Sequence, residues 1–344
     1  MTEPAWVNTA DRLAELVGRL TGTAEIAVDT EGDSLHHYPA RLSLVQLAAP
    51  GGGAWLVDPL AVDDLGPLRQ VFGDPRTTTV LHAGDNDLVD LKRRHGLLFA
   101  RVFDTSVAAR FLGAPALGLD VLLSTYLVID LPPSRQKDDW SERPLSEAQL
   151  RYAVGDVEYL LPLKARLVEE LTRVGRLAWV EEECAALAAQ LVAERTTDPA
   201  AYAGLKGARE LSPRALAILR ELYELREALA RRLDRPPFKV FNDEVLVRLA
   251  VAAPEARDRL AETPGMTPRV IALKWPNRLA LATALIKPSG AQSCSSPNTV
   301  GVPATLSTKT RAAVTTKAMT WFLVAAETAA PIAKTAPAIS QLAT

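Results

Sequence analysis

Cysteine is nearly absent from this chain: two in 344 residues, Cys184 and Cys294, far apart in sequence. That excludes a framework of disulfides and a thiolate metal centre, and it fits a reducing compartment. Only four histidines are present, so an imidazole-rich zinc site has few ligands to draw on. Long hydrophobic runs are missing too. The bulkiest, AMTWFLVAA near the carboxyl end, falls far short of a membrane span. The first residues, MTEPAWVNTADRLAEL, carry Glu3 and Asp11 and no apolar core segment, so a soluble, unexported, cytoplasmic protein is expected. What remains is ordinary globular material, 48% hydrophobic and 23% charged, too apolar for disorder and too long for one core. Two domains of common size are the expectation.

The net charge of −2 conceals an asymmetry. Residues 1–204 carry a net −11, residues 205–287 a net +6 and residues 288–344 a net +3. An acidic front is either solvated surface or a carboxylate cluster neutralised by divalent cations. A basic second segment is suited to a polyanion.

The front alternates strand and helix patterns. AEIAVD (24–29), RLSLVQLA (41–48), AWLV (54–57) and TTVLH (78–82) are short apolar strand candidates. DDLGPLRQVF, DNDLVDLKRRHG and DTSVAARFLG read as helices opened by an Asp N-cap, two of them closed by Gly. Alternation of this kind predicts an α/β sheet. From Ser146 the period is helical through SEAQLRYAVGDVEYLLPLKARLVEEL, with Ser146 and Gln149 in capping-box spacing. A Pro, Gly and Thr-rich break at 194–211 marks a linker. Further amphipathic helices follow in SPRALAILRELYELREALARRLDRPP, FNDEVLVRLAVAAPEARDRLAE and WPNRLALATAL. Beyond Lys287 the composition turns to Ala, Thr, Ser and Pro, a low-complexity tail expected to be disordered, although AMTWFLVAAETAA could form a lone helix.

Three places can carry chemistry. Asp29 and Glu31 follow the buried run AEIAV, and residues two apart on a strand share a face. They are either surface charge or a pair whose repulsion a cation relieves. Asp87 falls in the first turn of a helix after the fourth strand, where Asp85 would cap the helix and Asp87 complement its dipole without any further role. Tyr152 and Asp156, four apart on a helix, place phenol and carboxylate on one face.

Taken together, Asp29-x-Glu31, Asp87 in HAGxxDL, DWxxRPL at 139–145 and Tyr152-xxx-Asp156 in YAVGDVEYLLPL resemble the ribonuclease D group, in the tyrosine-containing branch of the DEDD exonucleases. The likeness covers roughly residues 1–195. Residues 205–287, with RPPFKVFNDEVLVRLA and PGMTPRV, resemble the helical HRDC domain. This implies an α/β ribonuclease H-like (DnaQ-like) mixed sheet flanked by helices, followed by a small all-α HRDC domain. The expected limits are an exonuclease domain at 1–195, a linker at 196–209, an HRDC nucleic-acid-binding domain at 210–287 and a tail at 288–344. The sequence departs from the group in having Pro133 where a lysine often precedes Asp-Trp, with Lys137 closer in, and in ending on the tail where a second HRDC-like domain is common.

The resemblance further implies that Asp29, Glu31, Asp87 and Asp156 hold two divalent cations, Mg²⁺ or Mn²⁺, an all-oxygen set suited to hard ions. Tyr152 would orient the attacking water, since a phenol of pKa near 10 is a poor base at neutral pH. The implied reaction is 3′-to-5′ hydrolysis of RNA to nucleoside 5′-monophosphates, acting on single-stranded 3′ ends of transfer RNA precursors, by a monomer. A DNA exonuclease of repair and a non-catalytic nucleic-acid adaptor are the alternatives; nothing in the motifs reads a 2′-hydroxyl. His82 is either a contact to the terminal nucleotide or a hydrogen-bonded structural histidine. Leu35 and Gln46 either touch the end base or pack, and Trp140 either stacks a base or anchors its loop. Arg231, Arg232, Arg235 and Lys239 are candidates for backbone contacts in the second domain.

Overall fold

The run EIAV needs burial on both faces, and it obtains it at the centre of a mixed sheet. In the computed structural model, which describes residues 4–51, 53–192, 200–254, 257–266 and 268, Ile26, Ala27 and Val28 are wholly buried. They lie in β2 (Glu25–Gly32), flanked by β3 (Leu42–Ala48) and β5 (Thr78–Leu81), and β4 (Ala54–Val57) follows β3. Two strands were not expected: β1 (Ala5–Val7) and β6 (Val102–Asp104), each of three residues, too short for a period to register. The order is β1-β4-β3-β2-β5-β6. The β2–β3 and β3–β4 pairs are antiparallel, and β1–β4, β2–β5 and β5–β6 are parallel.

Helices cover both faces. On one side α1 (Ala10–Leu20) joins Ile26, Val28, Val45, Leu47 and Phe72 in the main core. On the other, α6 (Glu147–Glu158) packs across β2, β3 and β4, and α7 (Leu160–Arg173) across β2 and β5. The expected single helix from 146 is thus two, divided at Tyr159. Pro162 supplies the reason: it has no N–H for the Glu158 carbonyl, and its ring crowds that oxygen. The capping box at Ser146 and Gln149 is present as expected.

Two other caps differ from expectation. Helix α3 (Asp85–His95) takes Gly84 as its N-cap, with Asp85 already inside the helix. The capping carboxylate is distant: Asp104, itself the N-cap of α4 (Thr105–Leu112), accepts the Ala83 and Gly84 amides at 3.1 and 2.9 Å. In DDLGPLRQVF a 3₁₀ turn (Gly66–Leu68) precedes α2 (Arg69–Phe72), and Asp64 caps the turn by accepting the Gly66 amide at 2.7 Å. After α5 (Leu119–Leu127) and α8 (Leu177–Ala189), the chain enters a separate helical core. Here α9 (Pro213–Leu233), α10 (Pro237–Val240), α11 (Asp243–Ala252) and α12 (Arg257–Leu260) enclose Leu219, Leu222, Leu246 and Leu249. Residues 196–199 of the expected linker, the WPNRLALATAL helix and the whole tail lie outside the described residues, whereas residues 200–209 form 3₁₀ turns (Ala201–Gly204 and Ala208–Glu210) whose Tyr202, Leu205 and Ala208 pack into the helical core. Among the described residues no helix is long and apolar enough to cross a membrane.

Candidate active site

The sheet creates the site by ending unevenly. β2 pairs with β5 only as far as Ala27, opposite Val80, while its pairing with β3 continues to Gly32. Asp29 and Glu31 therefore stand where β2 has lost one neighbour, at the carboxyl ends of two parallel strands, the usual crevice of an α/β sheet. α6 crosses this end and brings Asp156 down from above. Single carboxylate oxygens of Asp29, Glu31 and Asp156 all lie within 4.8 Å of one another. Glu31 and Asp156 are each 8% exposed.

α6 is held over the strands by the loop before it. Trp140 is wholly buried with Leu44, Leu56 and Tyr152, its ring centroid 6.0 Å from that of Tyr152. Its indole N–H donates to the Arg135 carbonyl at 3.2 Å. Arg143 grips Asp58 through two N–H···O bonds of 2.8 Å and donates to the Ser43 carbonyl at 2.7 Å. Gly155 lets the 131–132 segment pass close over the helix, because an added Cβ would stand 3.3 Å from a Leu131 methyl.

Asp87 arrives differently. It sits in the first turn of α3, and its Oδ1 accepts the hydroxyl of Thr30, on the β2 face opposite to Asp29 and Glu31. The structure thus brings three of the four expected acids into one cluster. The fourth stands beside it, near enough for its charge to act on both Asp29 and Glu31.

A 3′-5′ exonuclease family profile matches residues 4–172, and an HRDC domain profile matches residues 215–274. The chain is 38% identical over 275 residues to the ribonuclease D of Pseudomonas paraeruginosa, covering 78% of this chain and 71% of that one. The chain belongs to the ribonuclease D family. Ribonuclease D of Desulfotalea psychrophila is 29% identical over 279 residues, covering 81% of this chain and 74% of that one. The fold agrees with the crystal structure of Escherichia coli RNase D, described as an exoribonuclease involved in structured RNA processing (TM-score 0.67, 31% identity, 83% of this chain and 75% of that one). It agrees equally with the catalytic core of RRP6 from Trypanosoma brucei (TM-score 0.68, 25% identity, 83% and 80%).

As in a ribonuclease D, the catalytic chemistry is that of a metal-dependent 3′-5′ exonuclease, and the electrostatics of the cluster fit a cation. Burial, then the charges of Asp156, Asp87 and neighbouring Glu31, raise Asp29 well above the usual carboxylate range. Burial followed by Asp156 and Asp87 pushes Glu31 up to about 8. Burial likewise pushes Asp156 up to about 7, and a hydrogen bond from the Tyr152 hydroxyl draws it partly back. Carboxyls so disposed hold their protons unless a positive charge arrives, and their oxygens are the hard donors that Mg²⁺ or Mn²⁺ takes. Burial and the nearby carboxylates of Asp156 and Glu31 raise the Tyr152 phenol above its ordinary value. At neutral pH it is a hydrogen-bond donor and not a base.

The secondary candidates resolve in turn. The His82 Nδ1 meets the Thr105 hydroxyl at 2.9 Å, and burial lowers its pKa, as a structural histidine requires. Trp140 is an anchor, with no exposed face for a base. Leu35 is 38% exposed, whereas Gln46 is completely buried and out of reach of any base. Arg231 is already used, its guanidinium 5.4 Å from the centre of the Tyr38 ring, while Arg235 and Lys239 are exposed. One constellation has no counterpart in the sequence reading. His37, just past β2, bonds Asp234 at the end of α9 at 2.7 Å, and lies 3.2 Å from Asp139 and 2.9 Å from the Ser141 hydroxyl. With the Tyr38 hydroxyl on Glu227, it fastens the helical core to the loop that carries Trp140.

Proposed function

We propose that this chain shortens RNA from its 3′ end, releasing nucleoside 5′-monophosphates, with transfer RNA precursors in the cytoplasm as its substrates. The observation that carries the reading is the convergence of Asp29, Glu31 and Asp156 within 4.8 Å beside the Tyr152 hydroxyl. Asp29, Glu31 and Asp156 would hold divalent cations, with Asp87 completing the set. When bound, such cations supply charge to stabilise the attacking and leaving oxygens of a phosphodiester. The chain does the rest. Tyr152 keeps its proton and donates it in a hydrogen bond, so it holds the Asp156 carboxylate, or the water that attacks the terminal phosphodiester, in place without accepting a proton itself. The apolar packing of Trp140, Leu44 and Leu56 fixes the angle at which α6 presents Asp156. Residues 1–195 form the nuclease and residues 210–287 an accessory platform, whose exposed Arg235 and Lys239 meet the phosphates of the substrate.

End-labelled RNA and DNA of equal sequence, incubated with the protein with and without chelator, test the reading. A ladder of products shortened from the 3′ end, stronger on RNA and abolished by chelator, is expected. Products that survive chelation would overturn the metal site, and equal ladders on DNA would overturn the RNA assignment.

A further inference from the structure

Gln46 lies at the middle of β3, wholly buried, and neither its amide nitrogen nor its carbonyl oxygen has a hydrogen-bond partner. Such a group carries a desolvation cost that an apolar side chain of the same shape avoids. Its surroundings show where a partner can come from. Gln46 is the cross-strand neighbour of Asp29 on β2 and of Leu56 on β4. Directly opposed residues of antiparallel strands share a face, with Cβ atoms about 5 Å apart. Along its own strand the same face carries Leu44 and Ala48, and α6 lays Ala153 and Val157 over it. Of its two cross-strand neighbours and its two neighbours along the strand on that face, Asp29 alone is polar.

We infer that Gln46 is a positioning residue for Asp29: its carboxamide N–H donates to a carboxylate oxygen of Asp29 and fixes the carboxylate plane. This rests on the metal-binding reading of the cluster. Groups that orient a metal-ligating side chain from behind are commonly worth about 10- to 100-fold in metal affinity or activity.

The test uses Gln46→Met, close in length and without the amide, together with Asp29→Asn, in the full chain. Mn²⁺ binding to each is measured by the electron paramagnetic resonance of the free ion, and thermal unfolding is followed in chelator. The expected result for Gln46→Met is Mn²⁺ affinity at least tenfold weaker with a metal-free Tm equal to or above that of the parent, a combination that mere packing would not produce. If Gln46→Met binds Mn²⁺ as the parent does while Asp29→Asn does not, the positioning role is overturned and the metal site stands. Unchanged affinity in both variants would overturn the metal site itself. Should Gln46→Met fail to fold, Gln46→Leu carries the same comparison.

Discussion

Glu31→Gln should stabilise the metal-free protein while impairing its capacity to use metal. The folded site pushes Glu31 up from an ordinary 4.5 to about 8, through burial first and then the charges of Asp156 and Asp87. For an acid whose folded pKa is raised, the stabilising contribution is complete below the unfolded value and is lost as pH rises towards the folded one. Between pH 4.5 and pH 7 the unfolded chain gives up this proton and the folded metal-free site retains it. At about 1.4 kcal/mol per pH unit, that span costs the parent about 3 kcal/mol at neutrality. Glutamine fills the same space without charge and removes the cost. For a structure of this size each kcal/mol moves Tm by about 2–4 °C, so a gain of about 6–12 °C is expected at pH 7, fading towards nothing at pH 4.5. Circular dichroism melts in chelator at the two pH values measure it directly. Coincident melts at pH 7, or a gain that does not depend on pH, would refute the argument that repulsion and burial load this strand end. In the presence of Mn²⁺ the order should reverse, because the parent gains binding energy that the variant has lost.

Three further outcomes are expected. Asp156→Asn should abolish hydrolysis of end-labelled RNA while filter binding of the same RNA persists; turnover at the parental rate would remove Asp156 from the site. Tyr152→Phe should lower kcat by about 100-fold with Tm and KM little changed, since only a hydrogen bond to the reacting region is lost. Replacing Arg235 and Lys239 together by Gln should weaken RNA binding and reduce its dependence on log salt by about 0.7 for each phosphate contact removed, read from a salt titration.

The parts of this site that were legible in the sequence are those whose geometry is local. Asp29 and Glu31 share a face because a strand alternates, and Tyr152 and Asp156 because a helix returns every four residues; neither fact needs the rest of the fold. Asp87 was legible only as a first-turn residue of a helix. Its bond to Thr30 depends on β5 stopping opposite Ala27, a long-range register that no local pattern records. The same limit hid β1 and β6, whose three residues acquire meaning only beside β4 and β5. It also hid the link between His37 and Asp234, which are 197 positions apart.

That link bears on how the two halves cooperate. His37 touches Asp139 and Ser141 on one side and Asp234 on the other, and the loop of Asp139 carries the Trp140 ring that packs on Tyr152. Docking of the helical core is therefore two side chains away from the phenol at the candidate site. Its hydrogen bonds to Asp234 and Asp139 raise the His37 pKa, so the bridge is tightest while the imidazole is protonated and loosens as pH rises. Asp234, the closer partner, is 61% exposed, and that bond is correspondingly modest in strength. The apolar contact of Tyr38 with the helical core does not titrate in this range, so it persists when the imidazole is neutral.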